Sequence, residues 1–126
     1  MKRTSTVRAG AVFAFVLVCV AAACASYYIL YNSASVFNSS EWKSAKGNYG
    51  SCNPRQHMVA DLRVRLLSNR LSHADVLSML GPPDSEAGNE LRYELGLTGL
   101  FPIDGSELIV IFDECGIVTS TKVITH

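Results

Sequence analysis

The chain has 126 residues, 48% of them hydrophobic, with eleven basic and eleven acidic residues and a formal net charge of zero. The balance is uneven: Lys2, Arg3 and Arg8 precede the first acidic residue, Glu41, and from Tyr31 onward eight basic residues face eleven acidic ones, a net of −3. This excludes a basic stripe that could follow a nucleic-acid backbone, so no nucleic-acid partner is expected.

The first predicted element is the uncharged run AGAVFAFVLVCVAAACASYYILY, from Ala9 to Tyr31. As a helix it spans roughly 35 Å, enough to cross a bilayer with some tilt. Residues 1–31 are therefore read as a signal peptide or a single transmembrane anchor. Three fates are open. A secretory signal would be cut after Ala25, since Ala23-Cys24-Ala25 has the small-x-small form. A lipoprotein signal would end in AAAC, with Cys24 as the lipidation site. A retained anchor would use the whole run, and it is favoured: the apolar stretch continues through Tyr27, Tyr28, Ile29 and Leu30, and tyrosines suit a membrane interface. In all three the basic end stays in the cytoplasm and residues 32–126 are exported.

Cys52 and Cys115 then lie on the oxidising side, where a disulfide between them is permitted. Two unbridged small apolar side chains are the equal alternative. The Ser-, Asn- and Gly-rich stretch 32–53 reads as a linker. Phe37 and Trp42 stand out in it. Docking onto the domain is the favoured reading, and partner contact is the other.

The folded domain is expected over 54–126. PRQHMVADLRVRLLSN predicts a helix: Pro54 suits its first turn, Met58, Leu62 and Leu66 recur every four residues, and Val59 and Leu67 widen the stripe. Arg55, Arg63 and Arg70 are assigned to the wet face. LSHADVLSMLGPPD, 71–84, predicts a second, short helix. Ser72 is its N-cap, Asp75 completes a capping box, and Leu71 and Val76 are spaced as a hydrophobic staple. Gly81 is expected in the left-handed conformation at the end, and Pro82-Pro83 stop continuation. So short a helix is marginal alone, so both its ends and its apolar face need a packed neighbour.

Three strands follow. ELRYELG alternates Leu91, Tyr93 and Leu95 with Arg92 and Glu94, a half-buried strand. LTGLFPIDG reads as a loop. ELIVIF, 107–112, is apolar enough for a central strand, DECG is a turn, and IVTSTKVI is the last strand. The short connections predict antiparallel pairing. The expected fold class is α+β, two helices on one face of a three-stranded antiparallel sheet in the order α-α-β-β-β.

That order, with MVADL at 58–62, LSHADVLSMLGPPD at 71–84, LRYELG at 91–96 and LIVIFDECGIV at 108–118, resembles the SmpA/OmlA domain of the BamE-like outer-membrane assembly lipoproteins. Val76, Leu80, Gly81, Pro83, Tyr93, Phe112, Asp113 and Gly116 fit the family's pattern, while the Gly-Met usual before the helix cap is Arg70-Leu71 here. The resemblance implies a periplasmic interaction domain with a structural or assembly role at the bacterial cell envelope; the apolar run favours an inner-membrane anchor for it, with an outer-membrane lipoprotein as the other option. Its partners would be the membrane and another envelope protein. An inhibitor-like or ligand-binding role of the β-lactamase-inhibitor-protein type is the alternative, since that protein uses the same fold.

No active site is legible. His57 and Asp61 are four apart on one helix, which fits an ordinary surface pair far better than an oriented base. His73 is expected to face solvent, and His126 is the last residue. Asp84, Glu86 and Glu90 match no calcium loop. GPPDSEAG has prolines where a phosphate cradle needs backbone donors. Ser106 and Ser120 lack a nucleophile elbow. No catalysis, cofactor, metal or small-molecule substrate is expected; a small hydrolase or a ligand binder using the 96–105 loop with Asp104 is the lesser reading.

Overall fold

The computed structural model describes residues 3–32, 34–98 and 104–126. They fall into two units, Met1–Ser33 and Ala34–His126. The first is the single helix α1 (Arg3–Asn32). Within it Arg8–Ile29 is 22 residues with a mean hydropathy of 2.4, long and apolar enough by length and composition to cross a membrane. Val12, Phe13, Phe15, Val16 and Leu17 are all exposed, so the apolar surface runs right round the helix and marks no one face for a core.

The second unit runs α2 (Ser39–Ser44), α3 (Arg55–Ser68), α4 (His73–Leu80), β1 (Ser85–Ala87), β2 (Glu90–Thr98), β3 (Asp104–Phe112) and β4 (Val118–Thr125). The sheet order is β1-β2-β3-β4, every pair antiparallel. The α+β class and the antiparallel sheet match expectation. Two elements do not: the sheet has four strands rather than three, and α2 adds a helix where a linker is expected. β1 forms because Gly88, at φ +60°, makes with Asn89 a two-residue turn that pairs Ala87 with Glu90.

The folded unit therefore begins near Ala34, not Pro54. Asn38 caps α2 by accepting from the Glu41 N–H. Trp42 is fully buried in the core and Phe37 packs against that core, so docking is their role and Trp42 offers nothing to a partner. The Trp42 ring meets Tyr93 edge-on, with centroids 6.0 Å apart.

α4 is fixed at both ends. Ser72 and Asp75 form the full capping box, and the His73 N–H donates to the Gly116 carbonyl. At the other end Ser39 Oγ donates to the Met79 carbonyl (2.6 Å) and Lys43 Nζ to the Ser78 carbonyl (2.7 Å). A lysine there also complements the negative end of the helix dipole. α2 is thus the C-terminal cap of α4. Gly81 ends the helix at φ 76°, ψ −173°, which is not the anticipated left-handed helical region but one open essentially to glycine alone.

Arg70 also has positive φ, +46°. Arg70→Gly relieves that conformation, so the variant is expected to gain about 0.5–1 kcal/mol, read as a raised thermal midpoint. A lowered midpoint would show that the arginine side chain contributes more than its backbone costs.

Of the three arginines assigned to the wet face of α3, Arg55 is buried, 1% exposed. Its Nη1 reaches Asp84 Oδ2 at 3.1 Å and the Glu94 carbonyl, its Nε donates to the Trp42 carbonyl, and its guanidinium lies over the Trp42 ring. Arg63 donates to Thr121 on β4. Leu67, placed by periodicity on the apolar stripe, is exposed instead, beside exposed Val64.

Arg55, Asp84 and Gln56 have a shared task. β1 covers only the first part of β2. Beyond it, Asp84 accepts from the Glu94 N–H, Arg55 donates to the Glu94 carbonyl, and Gln56 Nε2 donates to the Leu95 and Leu97 carbonyls. The Leu97 N–H meets the Gly50 carbonyl. Side chains and a loop thereby close a strand edge that would otherwise invite pairing. The close approach is possible because β2 bulges at Gly96, φ +82°, where a Cβ would run into the Gly50 carbonyl oxygen.

Candidate functional site

Alternation turns Leu91, Tyr93, Leu95, Leu108, Val110 and Phe112 into the core. The same alternation turns Glu90, Arg92, Glu94, Glu107, Ile109, Ile111, Ser120, Lys122 and Ile124 to the opposite face, which no described helix of this unit covers. Register arranges that face in three rows across β2, β3 and β4: Glu90–Ile111–Ser120, Arg92–Ile109–Lys122 and Glu94–Glu107–Ile124.

Two hydrogen bonds fix the phase of the ladders. The Phe112 N–H donates to the Asn89 carbonyl, and the His126 N–H to the Gly105 carbonyl. Counting in steps of two, Glu94 and Glu107 oppose each other at a non-hydrogen-bonded position, where Cα atoms approach to about 4.5 Å and side chains are closest. Two carboxylates directly opposite repel. Glu107 Oε2 lies 3.2 Å from His126 Nε2 and 3.8 Å from Arg92 Nη1, but Arg92 is shared with Glu90 at 3.0 Å. Among the described residues no ion pair includes Glu94. Partial burial, and then the charge of Glu107, hold the Glu94 carboxyl above its ordinary value.

Ile109, at the centre of the face, is only 5% exposed. It stands in register between Arg92 and Lys122, whose alkyl stems can cover it. Ile111 and Ile124 are half-buried.

The raised Glu94 pKa and a lowered Asp75 pKa predict opposite pH effects. Hydrogen bonds from Ser72 to Asp75 favour its carboxylate, so its contribution is present above the ordinary value of 3.8 and is lost as pH falls through the lowered pKa. Glu94 contributes below its ordinary value of 4.5, and that contribution is lost as pH rises through the raised pKa. In thermal melts across pH, Asp75→Asn is expected to flatten the acid-side decline only. Glu94→Gln should flatten the loss on the alkaline side of pH 4.5 only. Equal slopes in both variants would contradict these assignments.

The residues singled out from sequence are mostly scattered or structural. Cys24 lies exposed on α1. Cys52 and Cys115 are exposed, and of the two readings open for them the bridge does not fit the register. Cys52 follows Gly50, which is bonded at Leu97, whereas Cys115 lies in the β3–β4 turn at the other end of the sheet. At the strand rise per residue this separates them by roughly 20 Å, against the about 7 Å that a disulfide spans.

Asp61 is engaged with Arg65 (2.8 Å) and accepts from the Phe37 N–H, which ties down the start of the unit. The His73 ring lies against Phe112, centroids 5.0 Å apart, so it is exposed but not wholly in solvent. Asp84 belongs to Arg55. Ser106 is buried between the hydroxyls of Thr98 and Thr125. Asp104 is exposed at the start of β3. Residues 99–103, the centre of the loop assigned to a ligand binder, lie outside the described residues. Among the described residues no three His, Cys, Asp or Glu side chains are grouped to hold a metal ion.

Reading from sequence missed the opposed pair Glu94–Glu107. The alternation marks each as outward-facing, but only register makes them neighbours. No family model, curated protein or solved structure matches the chain.

Proposed function

We propose that this chain is a non-catalytic, membrane-attached, extracytoplasmic protein-interaction domain of the bacterial cell envelope, with a structural or assembly role. The observation that carries the reading is α1, whose segment Arg8–Ile29 could cross a membrane and follows Lys2 and Arg3. Basic residues on that side favour its retention in the cytoplasm, with the α+β unit outside. The buried and half-buried polar groups of that unit are largely occupied in closing the edge of β2, as Arg55, Gln56 and Asp84 are. A binding role accords with this distribution better than a catalytic one. The BamE-like resemblance is supported locally by positive φ at Arg70 and Gly81, the positions at which the family pattern has glycine.

Fusion of a reporter active only outside the cytoplasm after His126 tests placement: activity is expected, and activity of a cytoplasmic reporter alone would end the reading. Mass spectrometry of the membrane-extracted protein separates the three fates of residues 1–31. An intact start indicates the anchor, an acylated Cys24 the lipoprotein, and a start at Ser26 the cleaved signal. Crosslinking in intact membranes should join the chain to another envelope protein.

A further inference from the structure

We propose that the open face of the sheet is a docking surface for a protein segment that presents one lysine or arginine to the Glu94–Glu107 pair, with apolar side chains set against Ile111 and Ile124. The proposal rests on the interaction reading above and names the chemistry of the partner.

Charge and register argue for this occupant. Glu94 and Glu107 are forced together by the ladder, at the position of closest side-chain approach. The groups facing them are Arg92 and Glu90 on β2, Asp84 ahead of β1, and Lys122 and His126 on and after β4. Arg92 is divided between Glu90 and Glu107, and Arg55 is committed on the other side of the sheet to Asp84 and backbone carbonyls. This half of the face carries more carboxylates than basic groups. Partial burial and the charge of Glu107 make ionising the Glu94 carboxyl harder in the free domain. A bound ammonium or guanidinium group relieves the repulsion, since it donates to both carboxylates at once.

The surroundings select a side chain flanked by apolar groups rather than a bare ion. Ile124 adjoins Glu107 on one side, and Ile111 lies further along β3 on the same face. Alternation fits as well, because an extended segment places every second side chain on one face. A bound cation favours the Glu94 carboxylate, so affinity is expected to rise as pH rises through the raised Glu94 pKa.

The test uses the full chain in lipid nanodiscs, observed by NMR at the backbone amides and the glutamate carboxyl carbons. The probe is the blocked peptide acetyl-Ile-Ser-Lys-Ser-Ile-amide, which sets the lysine and both isoleucines on one face when extended, with norleucine in place of lysine as the control. The lysine peptide is expected to shift signals of residues 92, 94, 107, 109, 122 and 124, and to bind several-fold more tightly near pH 7 than near pH 4.5. The Glu94 carboxyl should titrate lower when the peptide is bound. Glu94→Gln should fold, since it removes a repulsion, and should lose both the preference for lysine and the pH dependence. Equal binding of the norleucine peptide, shifts confined to exposed Val64 and Leu67 on α3, independence of pH, or no shifts at all would each overturn the proposal. Those outcomes leave the reporter and crosslinking results untouched, so failure of the surface is distinguishable from failure of the interaction reading.

Discussion

Trp42→Ala is expected to destabilise the folded unit by about 3–5 kcal/mol, the range for deleting a buried aromatic side chain. Trp42 is fully buried, and it packs between Phe37 and Tyr93 with the Arg55 guanidinium over its ring. Truncation removes contacts on all of these sides and opens a cavity at the junction of α2, α3 and the sheet. It also loosens α2, which caps the carbonyls at the end of α4. Trp42→Phe should cost much less, because Trp42 Nε1 has no hydrogen-bond partner among the described residues and only area is lost. Denaturant unfolding of the full chain in detergent, followed by circular dichroism, measures both variants. A linker tryptophan would change stability by no more than about 0.5 kcal/mol. A Trp42→Ala value in that range would mean that residues 34–53 are not part of the fold.

Arg55→Ala is the second large effect, expected at about 3–5 kcal/mol. Removing the guanidinium strips one carboxylate and two carbonyls of a donor together: Asp84 Oδ2, the Glu94 carbonyl and the Trp42 carbonyl. Asp84 is 12% exposed and keeps the Glu94 N–H, so it is not wholly abandoned and the lower part of the range is expected. Arg55→Lys should rescue little, since an ammonium cannot span three acceptors held by a planar fork. Arg55→Met combined with Asp84→Asn should recover part of the loss, because the charge left behind is then removed as well. If Arg55→Ala alone costs less than about 1 kcal/mol, the pair behaves as a surface ion pair and the seal on β2 is not important to stability.

Both effects concern residues whose types were visible in the sequence but whose roles were not. Trp42 stands in a stretch of Ser, Asn and Gly with no periodicity to anchor it, and α2 has only six residues. A helix that short has no intrinsic stability and forms because its tryptophan has a hole to fill. Arg55 sits at a helical position that composition assigns to solvent. It is buried because the edge of β2 needs donors and the Trp42 ring accepts a cation, conditions set by chain segments remote in sequence. The missed strand β1 did leave a signal, the Gly88-Asn89 dipeptide, which reads as a two-residue hairpin turn. Its three residues carry no apolar alternation that would confirm it.

The sequence by itself determined the uncharged helix ahead of the folded unit, the core faces of α3, β2 and β3, the capping box of α4 and the antiparallel meander. Each of these is written in local terms, as period, cap or turn residue, and is decided within a few residues of chain. Tertiary structure alone decided the rest. It buried Trp42 and Arg55, moved Cys52 and Cys115 to opposite ends of the sheet, exposed Leu67, and set Glu94 against Glu107. These depend on register and on which element lies over which. A one-residue slip between β2 and β3 would leave every local signal intact and would part the two carboxylates.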